Sequence, residues 1–247
     1  MSSSISVVIP TLNEAARIGD LLRALQNQKR DIEYSFEYSN CEIIVVDGDS
    51  DDETREIISQ FPAVILLQSE RGVSRQRNVG ARAATGELVV FMDADCLPHP
   101  QFLSQIARSY KRLPFRVACP WFVARDTLGV RLSYLVFNLL FFAGQSTLRT
   151  GSGVCLITTK KVFAQVGGFD ESLHLGEDIH FLRRCGWPHR HLIVPLQTSG
   201  RRFGSEGVWK LMSFYARISP AILLGRFESL RDVKYEKSTE SNDNRRD

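Results

Sequence analysis

An α/β architecture, with a mostly parallel, Rossmann-like sheet carrying helices on both faces, is expected from three features of the chain. Short β-branched runs alternate with stretches of helical periodicity four times in succession between Ser6 and Lys111. Acidic and other polar side chains collect just after three of those four runs. The 247 residues are 43% hydrophobic and 24% charged, a globular balance that excludes collagen, coiled coil and disorder as the chain's main state. Parallel strands need a crossover connection, and a helix after each strand supplies it.

The first run, SVVIP at 6–10, is a short strand closed by a proline, and Glu14 to Lys29 then sets Ile18, Leu21, Leu22 and Leu25 at helical spacing. The unit recurs as Ile43 to Val46 with Glu53 to Gln60, Val64 to Leu67 with Val73 to Ala84, and Leu88 to Met92 with Gln101 to Lys111. Beyond residue 115 the alternation fails. Val117 to Val123 reads as a strand, Leu128 to Ala143 as an apolar helix, and Val154 to Thr158 as a strand entered from Gly151-Ser152-Gly153. Short helices fit Lys160 to Val166 and Glu177 to Arg184. Arg131, Ser133 and Asn138 interrupt the apolar helix, which falls short of the roughly 20 apolar residues a spanning helix needs, so a buried or surface-lying helix is expected.

These elements place a single α/β domain over 1–200, a basic amphipathic helical segment over 201–236 packed on or near it, and a disordered polar tail over 237–247. Within the second segment, 207–224 sets Val208, Leu211, Met212, Tyr215, Ile218 and Ile222 on one stripe, opposite Lys210, Ser213 and Arg217. Such a stripe packs on a core or lies at a membrane surface, and Pro220 kinks or ends it.

Lys plus Arg is 31 and Asp plus Glu 28, a net charge of +3, which argues against nucleic acid as a partner. The excess is local, because Arg201, Arg202, Lys210, Arg217 and Arg226 face only Glu206 within 201–226. The five cysteines, at 41, 96, 119, 155 and 185, form no C-x-x-C pair and read as reduced, buried thiols. No basic start followed by a long apolar run opens the chain, so the cytoplasm, or the cytoplasmic face of a membrane, is the expected location.

Sheets of this type bind ligands outside the carboxyl ends of their strands. There the chain carries Thr11, Asn13 and Glu14 after the first strand, Asp47 and Asp49 after the second, and Asp93 and Asp95 after the fourth. Two carboxylates at i and i+2 on a strand end suit a hard divalent cation, Mg²⁺ or Mn²⁺, that completes its coordination with water and phosphate oxygens. The first turn, P-T-L-N-E, has no glycine, and neither the dinucleotide nor the P-loop signature occurs, so a bound nucleotide would be held by side chains and a metal.

The runs VVIPTLNEA, VVDGDSDDET, SRQRNVGARAATGELVVFMDADC and GGFDESLHLGEDIHFLRR, covering about residues 5 to 185, resemble the family-2 glycosyltransferases of the GT-A fold, part of the nucleotide-diphospho-sugar transferase superfamily. The resemblance implies transfer of a sugar, usually with inversion, from a UDP- or GDP-sugar to a hydroxyl or phosphate acceptor that is a carbohydrate, an envelope glycan or a lipid-linked group. It implies that Pro10, Thr11, Asn13 and Glu14 line the nucleotide pocket, that Asp47 accepts a hydrogen bond from the base beside Asp49, and that Arg75 and Asn78 pack near base and ribose. Asp93 and Ala94 would lie near ribose and metal, and Asp95 would be the main metal ligand together with Asp93. Glu177 and Asp178 match the family's acidic pair, with Asp178 as the base; alternatively, acidic residues at a helix start act as caps. Gly151, Ser152 and Gly153 are either the acceptor loop or a plain turn. Arg202, with Arg201, either closes on the donor diphosphate or forms a solvated basic turn. His174 and His180 lie beside the acidic pair in metal-binding or packing roles. Two other readings remain: a haloacid-dehalogenase-like phosphohydrolase, whose D-x-D normally sits on the first strand, and a non-catalytic nucleotide-sugar-binding relative.

Overall fold

The computed structural model describes residues 4–33, 41–124, 127–145, 151–198, 213, 217, 220–222 and 225–230. The four expected β-α units are present as β1 (Ile5–Thr11), α1 (Ala15–Glu33), β2 (Cys41–Asp47), α2 (Thr54–Ser59), β3 (Val64–Gln68), α3 (Val73–Ala83), β4 (Leu88–Met92) and α4 (Phe102–Arg112), with a short β5 (Cys96–Pro98) inserted before α4. The later part forms β6 (Val117–Ala124), α5 (Leu128–Gly144), β7 (Cys155–Thr159), α6 (Lys160–Val166), α7 (Glu177–Cys185) and β8 (His189–Thr198). One eight-stranded sheet runs β3-β2-β1-β4-β7-β6-β8-β5.

The β3-β2-β1-β4 half is parallel throughout. β7 then enters antiparallel beside β4, and β6 is antiparallel to β7 but parallel to β8. Because β1, β2 and β4 run the same way, Thr11, Asp47 and Asp93 leave the sheet at one edge. β7 runs the other way, so its beginning, just after Gly151-Ser152-Gly153, meets that same edge: the Asp93 amide donates to the Val154 carbonyl at 2.9 Å.

Side-chain alternation along the strands divides the core in two. Ile5, Val7 and Ile9 face Ile18, Leu21 and Leu25 of α1 and Phe102 and Ile106 of α4. Val8, Ile44 and Val46 face Ala81 of α3, Phe163 of α6 and Phe181 and Leu182 of α7. A Cβ on Gly80 would lie 2.4 Å from Val8 Cγ1, so only glycine lets α3 sit this low on β1.

α5 keeps the expected bounds to within a residue, but it is neither buried nor spanning. Leu128, Leu132, Leu135, Val136, Leu139 and Leu140 are 44–70% exposed. Among the described residues no helix is long and apolar enough to cross a membrane. Its tether is the buried Asn138: Oδ1 accepts from the Phe122 amide at 3.0 Å and Nδ2 donates to the Phe122 carbonyl at 2.7 Å. An amide side chain thus pairs an edge of β6 that β7 leaves open after Ala118. All five cysteines are free and buried, and burial pushes the Cys119 and Cys185 thiols up to about 12.

Of the region beyond 200, Ser213, Arg217 and 220–222 are helical, and Phe227–Leu230 forms a 3-10 turn. Pro220 is itself helical, and residues 218–219 just before it lie outside the described residues. Arg201, Arg202 and the 237–247 tail lie outside the described residues.

Replacing Asn138 by Leu keeps the size but leaves a buried N–H and C=O of Phe122 unpaired, a cost of about 1–3 kcal/mol for each group. Thermal denaturation should show a clear fall in Tm for Asn138→Leu, and an unchanged Tm would mean that the tether carries no stability.

Candidate active site

The loops after β1 and β2 hold each other. Asn13 and Asp49 both adopt left-handed backbone, φ 56° and 66°, which Asn and Asp tolerate better than most residues. The Asn13 amide donates to Ser50 Oγ, and Asn13 Oδ1 accepts from the Asp51 amide. The amides of Glu14 and Ala15, which open α1, donate to Thr54 Oγ1 and Asp52 Oδ2, so the second loop caps the first loop's helix. Burial works against the Asp52 charge, but hydrogen bonds from Thr54 and Ala15 outweigh it and hold its pKa below the usual value.

Several residues expected to face a nucleotide are engaged inside this frame. Pro10, Thr11 and Ala94 are buried, and the Thr11 hydroxyl points toward the Val46 carbonyl at 3.4 Å. The Asp47 side chain has no exposed surface and accepts from the amide and hydroxyl of Ser50, with Arg55 Nε 3.9 Å from its Oδ2. Asn78 clamps the backbone N–H and C=O of Phe169 and donates to Glu171. Arg75 pairs with Glu70 and with Glu171, at 3.1 Å for the latter, and these partners hold its pKa above the usual value. Gln76, which the motif reading left out, donates from Nε2 to the carbonyls of Thr11 and Val46 at 2.6 and 2.9 Å, binding α3 to the ends of β1 and β2.

Arg77 is the other residue missed, and it brings the acidic groups together. Its side chain is 3% exposed. Nη2 donates to Asp93 Oδ1 at 3.1 Å and to the Gly153 carbonyl at 2.7 Å, and Nη1 to Glu177 Oε1 at 3.2 Å. Burial opposes its charge, yet Asp93, Glu177 and Asp178 together raise its pKa. The guanidinium also lies 5.3 Å from the centroid of Phe169, which stacks on Phe181 of α7 at 4.1 Å.

α7 begins at Gly176 in left-handed conformation, putting Glu177 and Asp178 in the first turn, where the helix dipole favours negative charge. Burial and the neighbouring Asp178 charge nevertheless push Glu177 up to about 7, against the pull of Arg77. Asp178 Oδ1 accepts from the Ile179 amide at 2.7 Å. A Cβ on Gly153 would fall 2.7 Å from Asp178 Oδ2, and one on Gly151 2.5 Å from Cys119 Sγ. The two glycines therefore let the loop lie against Asp178 and the core, and Ser152 sits between them half-buried. His180 packs on Phe227 at 4.9 Å, and burial lowers its pKa. His174 is exposed.

Asp93 and Asp95 stand half-buried at the end of β4 with Ala94 buried between them. Among the described residues no group of three or more His, Cys, Asp or Glu could hold a metal. Two carboxylates fit a hard cation that takes its other ligands from phosphate and water. Asp93 Oδ1 is engaged by Arg77. An open cavity of about 420 Å³ lies elsewhere, lined by Gln68, Ser69, Glu70, Arg75, Val79, Arg82 and Glu171. It touches neither the D-x-D nor the acidic pair.

An α/β sheet with carboxylates from β4 and α7 gathered at one strand edge defines a ligand-binding or enzymatic α/β protein. The family model described as "Glycosyl transferase family 2" matches residues 6–164, and the chain belongs to that family. It is 36% identical over 191 residues to the glycosyltransferase AglE of Haloferax volcanii, covering 73% of this chain and 60% of that protein. The chain thus spans about three fifths of that relative's length. Among solved structures, S. aureus TarS 1–349 in complex with UDP superposes with a TM-score of 0.64 at 23% identity, covering 81% of this chain and 60% of the other. The mannosyltransferase PcManGT of Pyrobaculum calidifontis, in complex with GDP-Man and Mn²⁺, gives 0.64 at 22% identity over 96% of this chain and 66% of the other. These likenesses show the GT-A fold. Family membership sets the phosphohydrolase reading aside, and the D-x-D follows the fourth strand, as in the resemblance drawn from sequence.

The Glu177 shift has a defined consequence for stability. Below about pH 4.5, its ordinary value, folded and unfolded chains both keep the proton. Between 4.5 and 7 only the unfolded chain releases it, so stability should fall as pH rises, by up to about 1.4 kcal/mol per pH unit, and level off above 7. Urea unfolding across pH 4–8 should show this slope in the natural chain and a flatter profile in Glu177→Gln; identical slopes would contradict it.

Proposed function

We propose that the chain is a metal-dependent, inverting glycosyltransferase that moves a sugar from a UDP- or GDP-sugar to a hydroxyl or phosphate acceptor, with Asp178 as the base. The observation that carries this reading is the juxtaposition, within a glycosyl transferase family 2 chain, of the β4 D-x-D and the α7 acidic pair across Arg77. In this reading Pro10, Thr11, Asn13, Glu14, Asp47 and Asp49 frame the nucleotide side, Arg75 and Asn78 support it, and Asp93 with Ala94 borders the ribose. Arg202 is proposed as a diphosphate contact, and Gly151, Ser152 and Gly153 as the floor of the acceptor side.

Asp95, aided by Asp93, would hold Mg²⁺ or Mn²⁺. A divalent cation there offsets the charge that develops on the departing diphosphate. Asp178 removes the acceptor's proton as the acceptor oxygen bonds to the anomeric carbon. The bond from that carbon to the diphosphate oxygen breaks on the opposite face, and the nucleoside diphosphate leaves with the bonding pair. The Gly153 backbone packed against Asp178 limits the carboxylate's freedom, which keeps it near the attacking oxygen.

A lipid-linked acceptor or an envelope glycan, met at the cytoplasmic face of a membrane, fits the exposed apolar side of α5 and the basic excess in 201–226.

A thermal-shift panel of nucleotide diphosphate sugars with and without Mn²⁺ tests the donor. The matching donor should raise Tm only when the metal is present, and failure of every nucleotide would sink the reading. Asp178→Asn should lose turnover by about 10²-fold or more, in the range of a lost general base, while its nucleotide affinity stays unchanged; retained turnover removes Asp178 as the base.

Flotation with vesicles containing anionic lipid tests the surface. The natural chain should co-float, and Leu135→Glu with Leu139→Glu should cut binding at least about tenfold, since each buried leucine contributes about 1.5–3 kcal/mol. No binding of the natural chain would exclude a membrane role for α5.

A further inference from the structure

We propose that Arg77 is the positioning residue of the transfer site, fixing in one geometry the donor-side strand end, the base-bearing helix and the loop between them. The proposal rests on the transferase reading above and assigns a role within it.

The three groups Arg77 binds come from distant parts of the chain. Asp93 ends β4, Gly153 opens β7, and Glu177 starts α7, at separations of 16, 76 and 100 residues from Arg77. The guanidinium supplies a polar link between α7 and the strand end. With 3% of its side chain exposed, Arg77 gives its hydrogen bonds to protein groups: Asp93, Gly153 and Glu177. It therefore acts through others.

The action on Asp178 is indirect and comes from both sides. Glu177, the preceding residue, is drawn to Nη1, which sets the rotation of the first turn of α7. The Gly153 carbonyl is drawn to Nη2, and the Gly153 Cα lies so close to Asp178 that any side chain there would collide with its carboxylate. Two of the contacts that place the Asp178 carboxylate thus trace back to one guanidinium. The same Nη2 holds Asp93 Oδ1, tying the base to the D-x-D.

Chemistry selects arginine for this work. A planar fork presents N–H groups from separate nitrogens at fixed angles, whereas the three N–H groups of a lysine ammonium radiate from one atom at the end of a flexible stem. The Arg77 ring contact with Phe169, itself stacked on Phe181, limits rotation of the fork further. Its charge also permits acidic groups to share a buried edge, because unpaired like charges in low dielectric repel strongly.

The test uses the full chain, with release of UDP or GDP from a nucleotide sugar in the presence of Mn²⁺ as the activity readout, alongside Tm and nucleotide affinity by titration. Arg77→Lys keeps the charge and loses the fork. It should keep nucleotide affinity within about threefold and stay folded at assay temperature, while kcat falls by about 10²-fold, the scale of a displaced catalytic group. Should Arg77→Lys not fold, the double variant Arg77→Gln/Glu177→Gln replaces the ion pair with an amide pair. It should fold and bind nucleotide while the kcat loss persists. A folded variant with kcat within threefold of the natural chain overturns the proposal, as does a loss confined to nucleotide affinity. A natural chain that turns over no nucleotide sugar defeats the transferase reading and this proposal with it, an outcome distinct from turnover that the variants leave unchanged.

Discussion

The carboxyl edge of this sheet gathers more negative charge than a buried site tolerates without compensation, and the ion pairs of Arg77 are what allow it to close. Asp93, Glu177 and Asp178 all act on the Arg77 charge. Removing one partner of a buried pair costs about 3–5 kcal/mol, because the other is left uncompensated. The rest of the edge follows from this constraint. α3 has to approach the strands closely enough for Arg77 to reach them, which Gly80 permits. The Gly168-Phe169 turn has to cover the guanidinium, and Asn78 holds it there through the Phe169 backbone. Even so, Glu177 is incompletely compensated, since its pKa remains high despite the pairing.

The motifs of the first two loops are mainly devices for holding shape. Asn13, Ser50, Asp51, Asp52 and Thr54 satisfy each other's backbone groups, and Asp47 closes the second loop on itself through Ser50. A pattern of acidic and hydroxyl residues after a strand therefore carries two messages at once. It marks the strand end where ligands bind in such sheets, and it supplies the caps that keep two helix-bearing loops rigid. From the sequence these cannot be separated, because the same side chains serve both.

What was legible followed from periodicity. The four β-α units and the bounds of α5 and α6 were read from apolar spacing, and the strand-end carboxylates followed from their order. β8 was missed because its sequence, HRHLIVPLQT, mixes histidines, an arginine and a proline into a run without clean alternation. Its burial comes from pairing with β6 and β5 in the interior of the sheet. The antiparallel entry of β7 between β4 and β6 was equally hidden, since no local signal states which neighbour a strand will take. Arg77 was overlooked for a related reason. In the run S-R-Q-R-N, Arg75 and Arg77 look alike, and only the helical turn decides that one pairs at the surface while the other turns into the sheet edge. The usable clue was spacing, for Arg77 lies one turn before Gly80 and Ala81 on the face that packs against the strands.

α5 is the reverse case, a helix whose sequence was read correctly and whose setting was not fixed by it. A stripe of large apolar residues in a soluble domain ordinarily ends up in the core. Here the buried anchors are few: Val130 packs on Ala124, and Asn138 takes the place of a missing strand beside Phe122. The burial of Asn138 and exposure of the leucines around it are two sides of one arrangement. The helix is fastened by hydrogen bonds to an open strand edge, which leaves its apolar surface unspent by folding. Large exposed apolar patches are uncommon on monomeric proteins and mark contact surfaces when they occur. β6, which precedes α5 and holds Asn138 through the Phe122 backbone, also packs Cys119 in one cluster with Leu182 of α7, so a single strand links the exposed helix to the helix that carries Glu177 and Asp178.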